Sequence, residues 1–132
     1  MTHQQVSARL AERPELYQGW ESAQPIGEDG GMFYLSSIFR GEENVGTVHV
    51  YIWDKKVMGN PVAGRKAVLG LMKRENLDRL VGEVDCQNLL GINFAKRVGF
   101  NVIGVVRQRK DAHGNAHDVV LFDALPGDLA WA

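Results

Sequence analysis

Few side chains in this sequence are equipped for chemistry, and they lie far apart. The 132 residues include four histidines and one cysteine, Cys86. A lone thiol forms no internal disulfide framework and makes a cysteine-based zinc site improbable. His113 and His117 flank the turn of the polar run "KDAHGNAH" (residues 110–117), where surface positions are the default, so no metal site is expected. His49 and Glu83 stand inside strand-like runs and have side chains able to take a proton. Left to local context alone, His49 beside Tyr51 reads as a packed, hydrogen-bonded histidine and Glu83 as an exposed strand end. Two asparagines, Asn60 and Asn88, precede helix-like runs. At a helix start an asparagine side-chain oxygen can cap one of the free N–H groups.

These residues need elements to hold them. "MFYLSSIFR" (32–40) and "GTVHVYIWD" (46–54) are rich in β-branched and aromatic residues and are joined by the short polar link "GEEN", which predicts an antiparallel hairpin. Alternation in the second strand sets Val48, Val50 and Ile52 on one face and His49, Tyr51 and Trp53 on the other. Both faces then need cover, as in a strand internal to a helix-flanked sheet. "NPVAGRKAVLGLMKRENL" (60–77) reads as a helix. Asn60 is its cap, Pro61 its first residue, and Val68, Leu71 and Met72 an apolar stripe over charged Arg65, Lys66, Lys73 and Arg74. "LDRLVGEVD" follows as a strand, and "NLLGINFAKRVGF" (88–100) as a helix opened by Asn88 and closed by Gly99. This strand–helix–strand–helix run implies a crossover and a parallel strand pair. Residues 101–125 read as a closing hairpin, so the fold class is mixed α/β.

Before the hairpin, Pro14 divides residues 1–21 into short helical pieces, and "SAQPIGEDGG" (22–31) is expected to be a connecting loop. Residues 32–125 would then form the sheet and crossover helices, and 126–132 a tail serving as a docking segment or disordered remnant, all within one domain of residues 1–132.

Residues 46–125 resemble the GNAT acetyltransferase superfamily, which has this order of parts. "VDCQN", "GINFAKRVGFNVIGVVRQR" and "GNAHDVVLFDAL" are similar in particular to its ribosomal-protein acetyltransferase branch. The resemblance implies a mixed central sheet flanked by helices, with a shortened N-terminal half because only two strands are readable before the cofactor loop. It also implies an acetyl-CoA donor. The family's phosphate-cradling loop falls on "KKVMGNPVAG" (55–64), with Lys56 as the basic residue and Gly59 as the central glycine. Cofactor contacts then come from Lys56, Val57, Met58, Gly59 and Asn60. Pro61 takes the last small position and has no N–H to donate, whereas a one-residue shift of register brings in Val62 at the loss of the glycine. The family's asparagine on the pantetheine arm corresponds to Asn88, which as a helix cap also needs no ligand.

Acetyl transfer to an amine requires a base, oxyanion stabilisation and an acid for the thiolate. The family's tyrosine acid falls on Ala95, beside Phe94, and neither carries a proton; His49 and Glu83 are the candidate bases. The function implied is N-acetylation of a primary amine on a protein N-terminus, a lysine or a small molecule. The alternative is a catalytically degenerate acetyltransferase-fold protein with a structural or interaction role, for example in a phage particle. In that case a homo-oligomer or assembly partner would form through the unpaired sheet edge.

Composition sets the outer bounds. With 45% hydrophobic and 23% charged residues, a net charge of −1 and no apolar run of bilayer length, the chain suits a globular cytoplasmic protein. Neither a nucleic acid nor a membrane is expected as a partner.

Overall fold

The computed structural model describes residues 23–27 and 30–129. The predicted N-terminal helices (residues 1–21) lie outside the described residues, as do Trp131 and its two neighbours. Among the described residues, six strands form one mixed sheet in the order β1-β2-β3-β4-β6-β5. In chain order they are β1 (Gln24–Ile26), β2 (Gly31–Arg40), β3 (Asn44–Ile52), β4 (Arg79–Asp85), β5 (Asn101–Lys110) and β6 (Ala116–Ala124). Three helices join or close them: α1 (Pro61–Arg74), α2 (Leu89–Val98) and the four-residue α3 (Pro126–Leu129).

The hairpin predicted from residues 32–54 is β2–β3, antiparallel from Gly31↔Ile52 to Arg40↔Asn44. The crossover through α1 makes β4 a parallel neighbour of β3, and β6 inserts antiparallel between β4 and β5. Phe33, Leu35, Val48, Leu80 and Phe122 form the sheet side of the core. Val68, Leu71 and Met72 of α1, with Phe94 and Val98 of α2, close over it. On the opposite face, Met32 and Tyr34 are buried with Tyr51 and Trp53 packed against them.

Four expectations need correction. The stretch read as a connecting loop contains β1, whose Ile26 is fully buried. Three residues are too few for a periodic signal, and Pro25 is tolerated because β1 is an edge strand. Three described strands, not two, therefore precede the cofactor-loop region. The expected tail begins with α3, whose Leu129 is 1% exposed and part of the core. Arg65, placed by pattern on the charged face, is buried, and donates to the carbonyls of Val98 (3.3 Å) and Arg97 (3.4 Å) at the end of α2. A cation there meets the negative end of the helix dipole.

Gly99 ends α2 with φ of 127°, and a Cβ would lie 2.9 Å from the Asp128 carbonyl oxygen, so no larger residue fits the stop. At the start of α1, the Asn60 Oδ1 accepts from the Ala63 N–H at 3.2 Å. Asn60→Ala is expected to lower stability by about 1 kcal/mol, read as a lower urea midpoint at unchanged slope. A change within a few tenths would mean that the cap contributes nothing.

Candidate functional site

Strands β3 and β4 run parallel but pair at only three positions, Val45↔Arg79, Gly46↔Leu80 and Thr47↔Val81. Beyond them β3 continues to Ile52 and β4 to Asp85 with no ladder between. Backbone groups left without a partner strand line the gap, and a cavity of about 240 Å³ opens there. Val50, predicted to need cover, is instead 41% exposed on its wall.

His49 and Glu83, 34 positions apart in sequence, line this one cleft. The His49 ring stacks on Tyr34, with centroids 5.2 Å apart and planes 22° apart, and its Nε2 lies 2.8 Å from Ser36 Oγ. Burial holds the imidazole below its ordinary value near 6.5, and the nearby Glu83 charge opposes that shift. The shift favours the neutral ring, the form able to accept a proton. The Glu83 carboxylate is committed to an ion pair with the Arg109 guanidinium from β5.

The end of α2 nearest the cleft contributes Asn88, Gly91, Phe94 and Ala95 to its lining. Asn88 caps the helix, its Oδ1 accepting from Gly91 N–H at 3.0 Å, and also borders the cleft. Phe94 is buried with its ring 6.4 Å from that of Phe33, so the position beside Ala95 supplies packing.

The loop before α1 is a turn of 3-10 helix, Lys55–Gly59, capped by Asp54. Three donors in and just after it turn inward. Lys56 N–H donates to Asp54 Oδ1 (3.0 Å), Val57 N–H to the Asp54 carbonyl (3.1 Å) and Asn60 N–H to the Val57 carbonyl (2.9 Å). Pro61 has no N–H and Ala63 is capped, so Val62 keeps the first-turn amide with no acceptor among the described residues. Lys56, Val57 and Asn60 border a cavity of about 340 Å³ beside the loop. Met58 joins Asn88 on another of about 330 Å³ that continues the cleft. Gly59 and Val62 border none of these three. A Cβ at Gly59 would meet open space, and Val62 is 51% exposed.

Sequence reasoning missed several contributors. Arg97 donates to the Met58 carbonyl at 3.3 Å, tying the end of α2 to the loop. Val57 seats the other side of the loop on Gly30, where a Cβ would lie 2.0 Å from Val57 Cγ2. His117 bridges Asp85 (3.2 Å) and Asp111 (3.1 Å), fastening the last hairpin to the end of β4. Tyr34 and Ser36 read only as strand residues. An aromatic facing a histidine across a predicted hairpin was the one signal available for Tyr34.

The strand order, the parting of β3 from β4 and the capped loop between β3 and α1 define the class: the chain has the GNAT acetyltransferase fold, a mixed six-stranded sheet flanked by helices. It is similar to the ribosomal-protein-S5-alanine acetyltransferase of Vibrio fischeri (21% identity, TM-score 0.62), matching 94% of this chain and 72% of that one. It is also similar to Mycobacterium smegmatis RimJ in complex with CoA-disulfide (17%, 0.66), over 80% of this chain and 52% of that one. A third similar structure is a chimera of the Vibrio cholerae spermidine N-acetyltransferase SpeG and hSSAT (15%, 0.64), over 77% and 62%. The chain thus spans about half the length of RimJ and 61% of an acetyltransferase from Streptococcus pneumoniae. No protein-family model and no curated protein matches the sequence.

Proposed function

We propose that the protein transfers an acetyl group from acetyl-CoA to a primary amine in the cytoplasm. One observation carries the reading: the parallel strands separate after three pairs, and the cleft between them is lined by a neutral-leaning histidine, a carboxylate and Asn88. An unpaired strand edge at such a gap suits an extended amide-bearing arm, which can complete the ladder that β4 does not. Lys56, Val57, Met58, Gly59, Asn60 and Val62 would meet the donor's phosphates and Asn88 its arm. His49 takes the proton of the attacking amine as the N–C bond forms; the C–S bond then breaks and the thiolate is protonated from solvent. Glu83, through its charge, sets the field at His49. The similar structures include complexes with CoA-disulfide and, for the microcin C7 self-immunity protein MccE, with acetyl-CoA and AMP, which supports a CoA-type ligand. The acceptor class agrees with the amine substrates named for similar proteins, a ribosomal-protein alanine and spermidine. Among the described residues no helix is long and apolar enough to cross a membrane.

A second reading, a scaffold or assembly component that kept the fold without the chemistry, is favoured by the inward-turned amides of Lys56, Val57 and Asn60 and by Ala95. Edge strand β5, with Ile103 and Val105 exposed, would be its contact surface. Calorimetric titration with acetyl-CoA separates the two. Micromolar binding, about −7 to −8 kcal/mol, weakened at least tenfold by Asn88→Ala and by Gly59→Pro, supports transfer. No heat at a hundredfold excess over micromolar affinity removes it in favour of the scaffold.

A further inference from the structure

We propose that Ser36, the extra residue of a β-bulge in β2, is a positioning residue that holds the His49 imidazole in its Nε2–H tautomer and leaves Nδ1 as the proton acceptor. The inference rests on the reading of His49 as the base and adds the group that orients it.

The register supplies the first argument. Tyr34 faces His49 and Leu35 faces Val48, but Thr47 is opposite Ser37, so Ser36 has no partner of its own. In an unbroken ladder Ser36 would stand opposite Thr47, and its hydroxyl would be spent there. The bulge hands that place to Ser37, whose Oγ donates to Thr47 Oγ1 at 3.2 Å. Ser36 is released, and its Oγ lies 2.8 Å from His49 Nε2. Bulges re-aim side chains beside functional sites in this way.

The second argument is proton bookkeeping. A neutral imidazole has one N–H and one lone pair, and a serine hydroxyl can pair with Nε2 in either tautomer, so the part played by Nδ1 fixes which one is required. Nε2 is engaged by Ser36, so Nδ1 is the nitrogen left for an incoming amine. It accepts a proton only if Nε2 carries the hydrogen and donates it to Ser36 Oγ. Tyr34 stacking fixes the ring plane and Ser36 its rotation about that plane. The charged groups facing the ring's surroundings are Glu83 on β4, paired with Arg109 on β5, and Asp85 at the end of β4, paired with His117.

The test is nitrogen-15 NMR of the histidine ring in the free protein, with Ser36→Ala and Ser36→Thr compared. The wild type is expected in the Nε2–H tautomer, Ser36→Ala as a mixture, and Ser36→Thr as wild type, because the hydroxyl is restored. A wild-type Nδ1–H tautomer, or a Ser36→Ala spectrum unchanged from wild type, overturns the proposal. With acetyl-CoA and an amine, Ser36→Ala is expected to lower kcat about tenfold with KM held, and Ser36→Thr to recover it. A wild type inactive toward all amines, with the tautomer still responding to Ser36, removes the transferase reading and leaves the Ser36–His49 device in place.

Discussion

His49→Ala is expected to lower kcat for acetyl transfer about a hundredfold with little change in KM for acetyl-CoA, the size of effect that a positioned general base supplies. The pH dependence gives a sharper form of the same result. Burial depresses the imidazole pKa below 6.5, with Glu83 acting in the opposite direction. The ring therefore remains a proton acceptor at pH values where a free histidine is half charged. Activity should hold as pH falls through 6.5 and decline only through the lower folded value. Glu83→Gln removes the opposing charge, so it should move this acid limb to still lower pH; movement to higher pH would contradict the arrangement. Stability follows the same sign. Between the depressed value and 6.5 the unfolded chain binds more protons at His49 than the folded one. This contribution is present above 6.5 and is lost as pH falls through the folded value.

Phe94→Ala should cost about 3–5 kcal/mol, the range for deleting a buried aromatic whose site does not collapse. Phe94 is 3% exposed, stacks on Phe33 and touches the place where a Cβ on Gly64 would sit, so it locks α2 to both the sheet and α1. A globule of this size has about 5–15 kcal/mol in all, so much of its margin would go. Phe94→Leu, which keeps most of the volume, should cost far less. Denaturant unfolding of the two variants checks this, and a loss below about 1 kcal/mol for alanine would contradict the packing described. Because Phe94 also lines the cleft, the alanine variant should weaken acetyl-CoA binding even where it remains folded.

The elements legible in advance were those with strong local codes. Asn60 and Pro61 announce α1, Asn88 and Gly99 bracket α2, and the aromatic, β-branched runs around "GEEN" announce β2 and β3; all four lie where the sequence places them. β1 and α3 were not legible, because three or four residues carry no period and their place is set by Ile26 and Leu129 reaching the core. Arg65 was misplaced because helical periodicity does not know that the carbonyl end of another helix will pack against it. At the site, His49, Glu83 and Asn88 were nameable by residue type. Ser36, Tyr34 and Arg97 were not, and His117 read only as a surface residue, since each matters through a partner on another strand or helix.

The chain's own order of residues determined which segments become strands and helices, where α1 and α2 start, and the absence of a proton donor at position 95, since propensity, capping and side-chain identity act within a few residues. Tertiary structure alone decided that β3 and β4 part after Thr47 and Val81 and that an extra residue in β2 turns Ser36 toward His49. Those outcomes depend on register and packing between segments up to 34 or more residues apart, where hydrogen-bond partners are chosen by the whole sheet and not by neighbours along the chain.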